Sequence, residues 1–234
     1  RAVTGDVKLE IYDPEGKLVK TVPGTKRKGI NRVTWDMRVK APKVAKGIKP
    51  DFSGFFSPYV RPGEYKLKLL AGNNTVEGTL LLKVHPFNKH SPEDLELQYE
   101  TSMKLYAMHE DLAFIVENII KVQQDAQKLA DESKADKNTV KELVDKLEDI
   151  RKTLVATKEG RITGEVQLRE KIGEVYMSVA GYNGRPTDSQ LERIPSLQNE
   201  VTLAQKKAEE IYGKYLAKLN IVLMTREEFD KMKQ

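Results

Sequence analysis

Apolar and polar residues alternate at the start of the chain and recur every three or four positions in its second half. Val7, Leu9 and Ile11 alternate with Lys8, Glu10 and Tyr12, the period of a strand with one buried face. Asp13-Pro-Glu-Gly16 reads as a hairpin turn, because Pro fixes φ and Gly accepts positive φ. Leu18 to Val22 is the return strand. Val33 and Trp35 share one face of a third strand, with Thr34 and Asp36 on the other. Tyr65, Leu67 and Leu69 alternate with Lys66 and Lys68 in a fourth, introduced by the Pro62-Gly63 turn. After Asn73-Asn74, Val76, Leu80, Leu82 and Val84 close the set.

Short strands punctuated by Gly, Pro and Asn, with no helix between them, predict an immunoglobulin-like antiparallel β-sandwich over residues 1–88. Residues 89–234 predict an up-and-down four-helix bundle with long first and last helices, so the fold class is α+β with two domains. Ser91 caps the first helix, Pro92 takes its first position and acids fill its first turn. Nothing breaks it before about Glu132. A second helix is expected from about Asn138 to Thr157, with Val140, Leu143, Leu147, Ile150 and Leu154 on one stripe. Gly160 and Gly164 punctuate the passage to a third, which carries Leu168, Ile172, Val175 and Val179. The connection Arg185-Pro186-Thr187 then opens the fourth, with Thr187 to Gln190 as a capping box and Arg185 expected to pin the loop to helix carbonyls. Pro195 is expected to kink that helix or restart it.

One connection resists this scheme. Residues 39–61 are longer than an ordinary loop and carry Phe52, Phe55, Phe56 and Tyr59. Three placements are open for these rings: packed on the sheet of their own domain, docked on a neighbour, or displayed as a stacking platform for a ligand.

The chain has 234 residues, 39% of them apolar and 32% charged, which suits two modest cores. Its net charge of +5 is unevenly spread. Residues 1–86 hold 17 Lys/Arg against 8 Asp/Glu, and residues 87–234 hold 23 against 27. The basic half suits an acidic neighbour or a polyanion; a solvated surface is the plainer reading. No apolar run approaches the roughly 20 residues of a membrane span, and no signal peptide is present. The first residue is Arg, so the chain is read as a fragment or processed product whose targeting signal lies elsewhere, with the weakly patterned Arg226–Gln234 as its natural end. Cysteine is absent, which excludes disulfides and thiol chemistry.

Candidate chemistry is thin. His85, His90 and His109 form no metal-ligand spacing, and His109 falls on the stripe of Leu95, Tyr99, Ser102, Tyr106 and Ala113, as a satisfied interior histidine would. The acids mostly sit beside Lys at helical spacing, as Glu142/Lys146 and Glu148/Lys152 do. No nucleophile motif or phosphate-binding loop is present. Lys26-Arg27-Lys28 lacks interleaved aromatics and reads as a hairpin tip. Trp35 reads as an anchor between sheets, while Asp36 and Arg38 either pair with each other or hold the long loop. No catalytic, cofactor or metal residue is assigned.

Val7–Asp13, Gly29-Ile-Asn-Arg-Val-Thr-Trp-Asp-Met-Arg38 and Val60-Arg-Pro-Gly-Glu-Tyr65 resemble the immunoglobulin-like module that follows the propeller in bacterial sortilin-type BNR/Asp-box "glycosyl hydrolase" proteins. The module is also similar to the sandwich of flagellar hook-capping proteins. Gly184-Arg-Pro-Thr-Asp-Ser-Gln190 and the following helix resemble the helical tail of the same proteins. The Ser-x-Asp-x-Gly-x-Thr-Trp boxes of the propeller are absent. The resemblance implies a non-catalytic, extracytoplasmic accessory region that stabilises or orients a propeller upstream in the same polypeptide, with association as a further role. Its contact surface is expected at Phe52, Phe55, Phe56, Tyr59, Lys26, Arg27 and Lys28. Partners would be that propeller, another protein or a polysaccharide, with no nucleic acid and no membrane span. The alternative is a carbohydrate-binding module of a glycan-degrading hydrolase, which predicts solvent-exposed aromatics at 52–59. An enzyme in its own right would need two converging carboxylates with raised pKa values, and no spacing supports one.

Overall fold

The computed structural model describes residues 5–48, 51–157 and 165–232. The punctuation read at Gly160 and Gly164 lies outside those residues. The fold is α+β, with a four-stranded antiparallel sheet and four long helices. Two compact units divide it. The first comprises 1–41, 57–100 and 183–185, and the second 42–56, 101–182 and 186–234. The units therefore do not follow a single cut after residue 88: residues 42–56 belong with the helices.

The first unit is built on β1 (Val7–Tyr12), β2 (Leu18–Pro23), β3 (Gly63–Ala71) and β4 (Asn74–Leu82), in the order β2-β1-β3-β4. Register follows the alternation. Leu9 pairs with Leu69, Ile11 with Leu67, Tyr65 with Leu80 and Leu69 with Val76, so one face is apolar. The other face is a polar lattice. Lys8 lies 2.8 Å from Glu10, Tyr12 donates to Glu10 at 2.7 Å, and Lys68 lies 3.1 Å from Glu77. An antiparallel sheet with one wet face needs only this simple alternation.

The expected third strand is not one. Residues 31–36 run as coil, and the described residues form one sheet rather than two. Local bonds explain the departure. The Trp35 indole donates to the Arg38 carbonyl at 3.0 Å, Asp36 pairs with Lys20 at 2.8 Å, and Met37 takes a left-handed φ of 56° that ends any extended run. Trp35 instead packs edge-on against Tyr65, with ring centroids 5.5 Å apart. It lines a cleft of about 300 Å³ over Leu9, Ile11, Val22, Leu67, Leu80 and Leu82. It thus covers part of one apolar face instead of bridging two sheets. Arg38 holds the long connection: it stacks 3.5 Å from the Tyr59 ring centroid and donates to the Ser57 carbonyl. The start of the Pro62-Gly63 turn is tied through Tyr65, whose hydroxyl donates to the Arg61 carbonyl at 2.7 Å. Arg185 reaches Asp94 at 3.4 Å, a carboxylate rather than helix carbonyls.

The helices are α1 (Pro92–Asp131), α2 (Lys137–Leu154), α3 (Leu168–Ala180), α4 (Asp188–Leu219) and a short α5 (Arg226–Lys231). Their starts follow the cap chemistry. Asp136 accepts from the Thr139 amide at 2.8 Å, and Thr187 and Gln190 cap each other reciprocally. Pro195 lies inside α4 without ending it. Leu105, Leu112, Val116 and Ile119 of α1 share one core with Leu143 and Leu147 of α2, Ile172 and Val175 of α3, and Val201 of α4. The weakly patterned final stretch also belongs there, through fully buried Phe229, edge-on to Phe114.

Candidate functional site

The segment 42–48 is strapped to the helical unit by its lysines. Lys43 and Lys46 lie 3.7 and 3.5 Å from the Glu117 carboxylate, and Lys43 also sits 4.5 Å from the Phe229 ring centroid. The Ile48 amide donates to the Ala156 carbonyl at 3.2 Å. Beyond the strap, Phe52–Phe55 winds into one 3-10 turn. Asp51 caps it, with Oδ1 accepting from the Ser53 amide at 2.8 Å and the Ser53 hydroxyl at 2.6 Å. The Phe56 amide closes the turn on the Ser53 carbonyl at 3.1 Å.

Arg169 of α3 clamps this segment from below. Its side chain is 2% exposed. Nη1 donates to the Ala45 carbonyl at 3.0 Å, Nε donates to Glu170 at 2.8 Å, and the Asp51 Oδ2 lies 3.5 Å away. A buried guanidinium is tolerable only with partners of this kind. Gly47 leaves the necessary room, since a Cβ there would come within 2.6–2.9 Å of the guanidinium. Tyr176, one helical turn beyond Gly173, donates its hydroxyl to the Phe56 carbonyl at 3.1 Å.

His109 packs edge-on against Tyr176, with ring centroids 5.2 Å apart. It is fully buried, and neither ring nitrogen has a hydrogen-bond partner among the described residues. It is an interior histidine, as its position on the α1 stripe implied, but not a satisfied one. Burial pushes its pKa down to about 4; Asp51 opposes that shift and Arg169 adds to it.

The upper side of the turn is apolar and exposed. Phe52 is 65%, Phe55 80% and Phe56 39% exposed, and the first two rings are 6.4 Å apart. The expected contact set therefore divides. Phe52, Phe55 and Phe56 belong to the helical unit. Tyr59 lies half-buried beneath Arg38 in the sheet unit. Lys26, Arg27 and Lys28 are exposed there too, where the Asn31 side-chain amide donates to the Arg27 and Gly29 carbonyls at 3.0 Å, shaping the loop. Lys26 pairs with Asp6 at 3.1 Å.

Sequence reasoning missed Asp51, Arg169 and His109 as one cluster. Arg169 adjoins the Leu168–Ile172 stripe, where a charge ordinarily reads as solvated, and two of its partners, Ala45 and Asp51, stand more than a hundred residues upstream. Among the described residues, no group of three or more His, Cys, Asp or Glu is arranged to hold a metal ion. Among the described residues, no helix is long and apolar enough to cross a membrane either. Searches against protein-family models, curated proteins and solved structures return no match to this chain.

Proposed function

We propose that this chain is a non-catalytic accessory and interaction region of a larger extracytoplasmic propeller protein of glycosyl-hydrolase or sortilin-like type. In this reading the sheet is one layer of an immunoglobulin-like sandwich and the helices form an up-and-down bundle. The Phe52–Phe56 turn seats the region against its propeller or another protein. The observation that carries it is the pairing of three exposed phenylalanines with a support of buried ion pairs beneath them. Displayed rings on a fixed turn are the anchor geometry of a protein contact. Burying each ring contributes roughly 1.5–3 kcal/mol. The resemblance of Gly29–Arg38 and Val60–Tyr65 to the propeller-associated module supplies the context.

The exposure of the rings also fits a carbohydrate-binding module. Protein contact is favoured because the Phe52 and Phe55 rings are tilted by 41° and do not form a flat platform, and phenylalanine brings no polar handle for sugar hydroxyls. The test places a photo-crosslinking benzoylphenylalanine at position 55 of the native polypeptide in its source. Crosslinks to propeller residues are expected, in a polypeptide several times heavier than 26.6 kDa. A native mass equal to 26.6 kDa, or quenching of Tyr and Trp fluorescence by polysaccharide without any protein crosslink, sinks this reading.

A further inference from the structure

The two outer strands of the sheet are defended very differently. The β2 edge carries the usual protections. Its register with β1 is interrupted between Ile11 and Tyr12, it ends in Pro23, and Lys20 stands opposite Ile11, where it pairs with Asp36 of the crossing coil. An irregular, charged, proline-ended edge is a poor template for another strand.

β4 has neither the interrupted register nor the proline, and keeps one paired charge. It pairs with β3 without interruption over nine residues, from Asn74 to Leu82, and its outer side has no strand partner among the described residues. It contains no proline, and its single charge is Glu77. The apolar face is least covered here: Val76 is 62% exposed, and Leu69 beside it 36%. Gly78, opposite Leu67 on that face, leaves a gap; a Cβ there would meet nothing within 4 Å. On the polar face the Glu77 carboxylate is tied inward to Lys68, yet its side chain remains 70% exposed.

We propose that β4 is a strand-addition edge that takes an extended segment of a partner protein. Unpaired main-chain N–H and C=O groups along an open edge recognise an extended backbone. The side chains define which one. Bulky apolar residues at alternate positions continue the apolar face, an aromatic residue opposite Gly78 fills the gap over Leu67, and a basic residue opposite Glu77 complements its charge. This surface is separate from the Phe52–Phe56 turn and stands without it.

The probe is a labelled peptide, Val-Thr-Val-Thr-Phe-Lys-Val-Lys-Thr, which in antiparallel register sets its Phe against Gly78 and the following Lys against Glu77. It is titrated into the whole 234-residue chain, as are two copies N-methylated at odd or at even positions. One backbone edge pairs, so one methylated copy should lose at least about tenfold in affinity and the other should bind like the parent. Val76→Lys, an exposed change that charges the rim, should weaken the parent peptide by about tenfold without altering the circular dichroism spectrum. Hydrogen exchange on the unsubstituted chain needs no variant: the peptide should slow exchange across residues 74–82 and leave 18–23 unchanged. The proposal is overturned if the peptide does not bind, if both methylated copies bind alike, or if protection appears elsewhere. It is also overturned if β4 becomes protected with rising protein concentration alone, since the edge then pairs with a second copy.

Discussion

Arg169 and Arg61 show how the two units use the same side chain under opposite conditions. Arg169 is 2% exposed and spends its donors on Ala45 and Glu170, close to Asp51. Arg61 is 46% exposed, donates to Glu96 through Nε at 2.9 Å and lies 4.2 Å from the Tyr99 ring centroid. The first has fixed partners in place of water, and the second holds its ion pair at the surface, half in solvent. The contrast extends to the apolar groups. The helical unit closes its core over Leu105, Leu112, Ile119 and Leu147, each fully buried, whereas the sheet fully buries Ile11 and leaves Val76 and Leu81 largely in solvent. Burial is therefore concentrated in the helical unit, and exposed apolar surface lies on the sheet and on the Phe52–Phe55 turn.

The sharpest way to break that comparison is Arg169→Ala. Losing one partner of a buried cluster leaves uncompensated carboxylates, so the free energy of unfolding should drop by about 3–5 kcal/mol in urea denaturation. Arg61→Ala should cost less than about 1 kcal/mol. Equal losses would mean that burial does not separate the two arginines. Next in size is Leu112→Ala, expected to destabilise by about 2–5 kcal/mol, against no more than about 0.5 kcal/mol for Val76→Ala on the open face.

A pH series adds a third contrast. The pKa of His109 is about 4 in the folded chain against about 6.5 unfolded, so the unfolded chain takes up the proton first. Its stabilising contribution is complete above pH 6.5 and is lost as pH falls towards 4, a change of roughly 2–3 kcal/mol. His109→Gln should flatten that slope between pH 6.5 and 4; an unchanged slope would place the titrating group elsewhere. Thr187→Ala, which removes the α4 cap, should lower stability by about 1 kcal/mol, read as a modest fall in Tm.

What the sequence revealed follows the range of the forces involved. Strands β1 to β4 and helices α1 to α4 were legible because period and caps are local: Ser91 and Thr187-Gln190 announce their helices within four residues. Residues 33–36 failed as a strand because alternation alone cannot register a left-handed turn at Met37. The phenylalanines of 52–56 were legible as an anomaly, but not their exposure, which depends on partners at 169 and 176. The Arg169 cluster was illegible, because burial of a charge depends on donors and acceptors distant in sequence.

Synthesis on the ribosome exposes a consequence of the 42–56 strap. Ala45 leaves the ribosome 124 residues before the arginine that holds it. At about 5–20 residues per second, that interval is roughly 6–25 s. Throughout it Phe52, Phe55 and Phe56 travel on a segment whose clamp does not yet exist, flanked by strands already able to pair. The nascent chain thus passes through a window in which its stickiest turn is untethered, and a chaperone that holds aromatic segments has a defined moment to act.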